Sequence, residues 1–151
     1  MYGRRPLTRL EAALYAALLG IFVAIFAQQM LGTMELAERA AMQATLINTT
    51  SAINVRLAQT LSGRRADPAD WSRRNPFELA GMSPPNFAHD ADLASLESGQ
   101  WAYDPAQAEL IYRPRLRFSL KTSDGQQALR FRLVLGPVGY SLQPRAPFTW
   151  E

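Results

Sequence analysis

His89 is the only histidine in the chain, and Asp90 and Asp92 follow it closely. One imidazole and two carboxylates at that spacing are a weak metal-ligand signal, and a solvated loop accounts for them more simply. A serine triad needs its histidine beside a nucleophile, and no Gly-x-Ser-x-Gly elbow occurs. The absence of cysteine excludes thiolate metal sites, a Cys nucleophile and disulfides together. Asp124 precedes Gly125, a pair that marks a turn before it marks a general acid. No Gly-rich phosphate loop is present. These residues assemble no catalytic set, so the sequence predicts a non-enzymatic chain without cofactor, metal or small-molecule substrate.

Arginine is the other chemistry-bearing type. Arg113, Arg115, Arg117, Arg130 and Arg132 occupy alternating positions that place several of them on one polar face. Such a face suits an acidic partner surface, anionic lipid or a polyanion, although a charged strand face that only keeps the protein soluble looks the same. The net charge is +3 and the 16 basic residues are scattered. A nucleic-acid binder concentrates its charge in a stripe with interleaved aromatics, so nucleic acid is not an expected partner.

The elements that carry these residues begin with a hydrophobic stretch over 10–32, interrupted only by Glu11, Gln28 and Gln29. At about 1.5 Å per residue it spans a hydrocarbon core of about 30 Å. Arg4, Arg5 and Arg9 precede it and Glu35 and Glu38 follow, which orients the basic segment 1–9 toward the cytoplasm and the remainder across the membrane. A cleavable signal is the competing reading. Its apolar core is typically about 7–15 residues and ends in small residues, whereas this stretch is longer and ends Gln28-Gln29-Met30-Leu31. The membrane anchor is therefore favoured, with the lipid bilayer as its first partner.

No proline interrupts the chain between Leu7 and Leu61, and no glycine lies between Thr33 and Ser62. Met34, Ala37, Ala41 and Ala44 recur at helical spacing, and Leu46, Ile53, Leu57 and Leu61 make a second, bulkier stripe. An amphipathic continuation of the helix over 33–62 follows, ending at Ser62-Gly63. Within the anchor, Ala13, Ala16, Ala17 and Gly20 are small residues near helical spacing, of the kind that lets helices approach closely in lipid. Thr8 and Glu11, three residues apart at the helix start, fit a capping box.

The order Leu7-Thr8-Arg9-Leu10-Glu11 followed by the apolar run resembles the N-terminus of type IV pilins and type II secretion pseudopilins. Thr8 falls on that family's threonine and Glu11 on its glutamate. In the family that carboxylate pairs with the amine which processing creates on a neighbouring subunit. A carboxylate inside a bilayer is costly unless paired. The departure is Pro6, where the family has a small residue before the cleavage point; proline there disfavours cutting. The segments Trp101-Ala102-Tyr103-Asp104 and Leu110-Ile111-Tyr112-Arg113 resemble the accessory F proteins encoded with the mannose-sensitive haemagglutinin (MSHA) type IV pilus. That resemblance implies a bacterial inner-membrane protein with its C-terminal domain in the periplasm. It also implies partners among pilin or pilus-assembly proteins, and Thr8 and Glu11 as assembly contacts.

Residues 63–99 are rich in Pro, Asp, Asn and Arg and read as linker and irregular loop, with Trp71 and Phe77 available to pin it. An antiparallel β domain with a C-terminal tail is expected over 100–151. Strand signals occupy 100–104, 109–113, 116–120 and 129–135, and Asp124-Gly125 reads as a hairpin turn between the last two. A four-stranded meander laid on the outer half of the helix satisfies these signals, with 136–151 wandering over the surface. The fold class is α+β. A membrane-anchored scaffold or binding module unrelated to pili has the same sequence requirements and is the alternative function.

Overall fold

The computed structural model describes residues 8–62, 68–88 and 95–150. Its architecture is α+β. A long N-terminal helix, α1 (Arg9–Ser62), is followed by a short 3-10 helix (Pro68–Arg73), α2 (Pro76–Ala80) and six strands. These are β1 (Trp101–Asp104), β2 (Glu109–Tyr112), β3 (Leu120–Thr122), β4 (Leu129–Gly136), β5 (Gly139–Pro144) and β6 (Phe148–Trp150). The chain falls into two compact units, one up to Ala37 and one from Glu38 onward.

In the first unit, α1 is the one described helix long and apolar enough to cross a membrane. Leu14, Leu18, Ile21, Phe22, Ile25 and Phe26 are all exposed. These bulky side chains share one face, and Ala13, Ala16, Ala17 and Gly20 lie on the opposite one, so the stretch is apolar all round, which suits an apolar surrounding.

In the second unit, one face of α1 enters the core through Met42, Thr49, Ile53 and Leu57, with Leu46 partly covered. This stripe differs from the expected one. Ala41 and Ala44 are exposed, as is Leu61 at 58%. Thr49 conceals the true stripe in the sequence, because its polar type interrupts an otherwise apolar spacing. The Thr49 hydroxyl donates to the Thr45 carbonyl at 2.7 Å, which satisfies it inside its own helix and allows burial.

The main sheet is antiparallel in the order β1-β2-β4-β5, and β3 pairs separately with β6. The four-stranded meander is corrected accordingly: the third expected strand leaves the sheet, and the C-terminal residues supply β5 and β6. The physical reason lies just after Pro114. The amides of Arg115 and Leu116 donate to the Glu38 carboxylate at 2.6 and 3.0 Å, so they are not available to a strand ladder. Phe118, in the middle of the strand expected over 116–120, is 74% exposed. Asp124-Gly125 does form a turn, with Gly125 at φ +66 and the Gln126 amide donating to Asp124 Oδ1, but it does not join paired strands.

Within 63–99 the described residues include two helical turns. Asn75 caps α2 by accepting the Phe77 amide at 3.0 Å, and Pro76 begins the helix where its missing N–H costs nothing. Gly81 ends it in the left-handed conformation at φ +69. These turns hold Phe77 and Trp71 in the core. Phe77 joins Met42, Trp101, Tyr112 and Phe131, while Trp71 joins Ile53, Leu57, Leu133 and Tyr140.

Candidate interaction surfaces

Thr8 and Glu11 meet as a reciprocal cap. The Thr8 amide and hydroxyl donate to Glu11 Oε2 at 2.8 and 2.9 Å, and the Glu11 amide donates to Thr8 Oγ1 at 3.3 Å. Two otherwise unsatisfied groups at the helix start are thereby served. Both residues are exposed. The small residues Ala13, Ala16, Ala17 and Gly20 are likewise exposed, and a Cβ added at Gly20 meets nothing within 4 Å. Among the described residues no packing demands a glycine at that position.

The arginines of the β domain separate into two groups. Arg115 and Arg117 lie between β2 and β3 and are exposed; the Arg115 side chain runs over Gly99, where φ +85 and the close approach both require glycine. Arg113, Arg130 and Arg132 fall on the outer face of the main sheet, by the alternation that sends Leu110, Tyr112, Leu129 and Phe131 inward. Arg113 donates to the Leu96 carbonyl. With Arg130, Gln126 and Gln127 it rims a cleft of about 400 Å³ floored by Leu96, Ile111 and Ala128.

Arg130 and Arg132 are not free cations. Both converge on Glu109, whose side chain is 0% exposed, at 3.4 and 2.9 Å, and Arg145 joins from beyond β5 at 3.2 Å. Arg130 also lies 3.6 Å from Asp104. A carboxylate removed from water costs several kcal/mol unless charged donors surround it, and three guanidiniums supply that surrounding. Of the five arginines singled out in the sequence, Arg130 and Arg132 thus belong to an ion network with a buried acid at its centre. Glu109 stands opposite Arg132 in the β2–β4 register, a pairing that only the folded sheet establishes. Arg145, between two proline-containing segments, carried no signal.

Three polar residues of α1 fasten the helix to what packs on it, two to the β domain and one to α2. The Glu38 carboxylate accepts the Tyr112 hydroxyl at 2.8 Å in addition to the two amides. Burial, then the bond to Glu38, pushes the Tyr112 phenol well above its usual range. Asn54 donates to the Tyr140 carbonyl and accepts the Tyr140 amide, at 2.9 and 2.8 Å. Arg56 donates to the Leu79 carbonyl at 2.8 Å, at the end of α2. None of the three stands out in the sequence, because each lies beside the apolar stripe rather than in it.

On the far side of the same helical stretch, Ala40, Ala44, Ile47, Ser51, Val55 and Ala58 are all exposed and carry no charge. His89, Asp90 and Asp92 lie outside the described residues, and Asp124 serves its turn. Among the described residues no three His, Asp or Glu side chains gather as a metal site. Comparison with family models, with curated proteins and with solved structures finds no match to this chain.

Proposed function

We propose that the chain is a single-pass, pilin-like accessory protein of type IV (MSHA-type) pilus biogenesis or of a related type II secretion machine. On this reading its N-terminus is cytoplasmic, its β domain periplasmic, and it acts through side-by-side helix packing in the inner membrane and β-domain contacts outside. The observation that carries the reading is the division of labour along α1. Its first part is apolar on every side, and from Glu38 onward one face is covered by the sheet while the Ala40–Ala44–Ile47–Val55 face stays bare. The two segments resembling the accessory F proteins support it further, since they are β1 and β2, paired with Trp101 opposite Tyr112.

The intact mass and N-terminal sequence of the protein recovered from membranes test this. A chain beginning at Leu7 makes it a processed fibre subunit, and one beginning at Met1 or Tyr2 makes it a permanent membrane component of the assembly machinery. A mature chain starting near Gln28 overturns the anchored reading altogether. Co-purification with pilin or pilus-assembly proteins separates the accessory function from the alternative, a membrane-anchored periplasmic scaffold unrelated to pili. The Thr8–Glu11 cap favours that alternative in one respect, because Glu11 there has partners without a neighbouring subunit.

A further inference from the structure

The outer face of the main sheet carries more organised charge than solubility requires. Glu109 is fully buried, yet it lies on a sheet face where an apolar side chain would have cost nothing to desolvate. Each of its oxygens holds a guanidinium: Arg132 Nη2 on Oε1 at 2.9 Å, and Arg145 Nη1 on Oε2 at 3.2 Å with Arg130 at 3.4 Å. Arg130 is 23% exposed and turned to Asp104 and Gln126 as well. Arg132 and Arg145 are different, with side chains 53% and 50% exposed. A guanidinium has five N–H donors, and the contact with Glu109 engages one nitrogen of each.

Two planar cations are thus held on the two oxygens of one acid, each with about half of its side chain open to solvent. Across the network, three guanidiniums face two carboxylates, which leaves a positive charge in excess. Arginine that is already immobilised loses less conformational freedom on meeting an anion, and its planar fork matches carboxylate and phosphate oxygens.

We propose that Arg132 and Arg145, positioned by Glu109, form a binding site for an oxyanion, the carboxylate or phosphate group of a ligand. The site stands independently of any role in pili. Glu109 is its positioning residue and does not touch the ligand.

The test uses the full chain in nonionic-detergent micelles at constant ionic strength, so that general screening does not change during titration. Calorimetric titrations with inorganic phosphate and, separately, with citrate are expected to saturate for at least one anion. The Arg132→Gln/Arg145→Gln double variant is expected to bind more weakly by roughly ten-fold at least. Arg117→Gln, exposed and outside the network, is expected to bind as the native chain does. Saturation by phosphate alone assigns the site to phosphate groups, by citrate alone to carboxylates, and by both to either. If neither anion saturates, or if the double variant binds like the native chain, the proposal is overturned. Should the double variant fail to fold by its tryptophan fluorescence, Arg132→Lys replaces it. That variant keeps the charge and loses the fork, and undiminished binding by it overturns the proposal equally.

Discussion

The side-chain amide of Asn54 makes to Tyr140 the two hydrogen bonds that a neighbouring β-strand would make, donating to its carbonyl at 2.9 Å and accepting its amide at 2.8 Å. A helix residue thereby docks onto the backbone of β5, and the contact specifies where the sheet sits along this part of α1. Asn54→Ala leaves both backbone groups without their partner, at a cost of about 1–3 kcal/mol. Denaturant unfolding in micelles should show that loss. Gly139→Ala should be at least as damaging, because φ is +127 there and an added Cβ would approach Asn54 Oδ1 to 2.6 Å.

Removing the buried acid should hurt more than removing any one of its cations. Glu109→Gln leaves three arginines facing a neutral group, and breaking a buried ion pair in this way typically costs about 3–5 kcal/mol. Arg132→Ala removes a half-exposed partner while two others remain, so its effect should be about 1 kcal/mol or less. Comparable losses for the two variants in thermal unfolding would contradict the central place given to Glu109.

Alkaline pH should loosen the domain. The Tyr112 phenol is raised above its ordinary value of 10.0 by burial and by its bond to Glu38, and Tyr103 is raised by burial with Glu78 and Asp104 adding to it. An acid whose folded-state pKa lies above its unfolded one binds its proton more tightly in the native state. The stability this confers is complete below about pH 10 and declines as pH rises from there toward the folded values. Tyr112→Phe should flatten that decline, and ultraviolet titration of phenolate should place Tyr112 among the last tyrosines to ionise.

The two sides of α1 beyond Glu38 should respond oppositely to substitution. Ile53 is 0% exposed, and Ile53→Ala should cost about 2–5 kcal/mol. Ile47 and Val55 are 64% and 59% exposed, so Ile47→Ala and Val55→Ala should change stability by about 0.5 kcal/mol or less. If the pilus reading is right, Ile47→Arg should preserve the fold yet reduce recovery with assembly partners. Normal assembly by a folded Ile47→Arg chain would remove that face from the proposal.

The helix was legible because 54 residues without a proline, and with glycine only at 20 and 32, state their own structure. The pairing of β1 and β2 was legible too, through two short segments joined by a tight connection. What stayed hidden depended on partners distant in the chain. Glu38 captures the amides of Arg115 and Leu116 from 77 and 78 residues away, and local alternation at 116–120 carries no trace of that competition. β5 was obscured by Pro144, which reads as a breaker but occupies the strand's last position, where a missing N–H is tolerated. Of the arginine site, the two strand residues were visible, while the acid that organises them and the third cation came from elements whose proximity only folding creates.

The edges of the main sheet carry a last consequence. On β5, Asn54 already occupies the outward-facing groups of Tyr140, and Pro144 presents no amide. On β1, the Ala88 amide donates to the Trp101 carbonyl and the Trp101 amide to the Asn86 carbonyl, so the start of that edge is occupied as well. A foreign strand arriving at either side finds no uninterrupted template to extend. Copies crowded together at high concentration should consequently resist cross-β aggregation through this sheet.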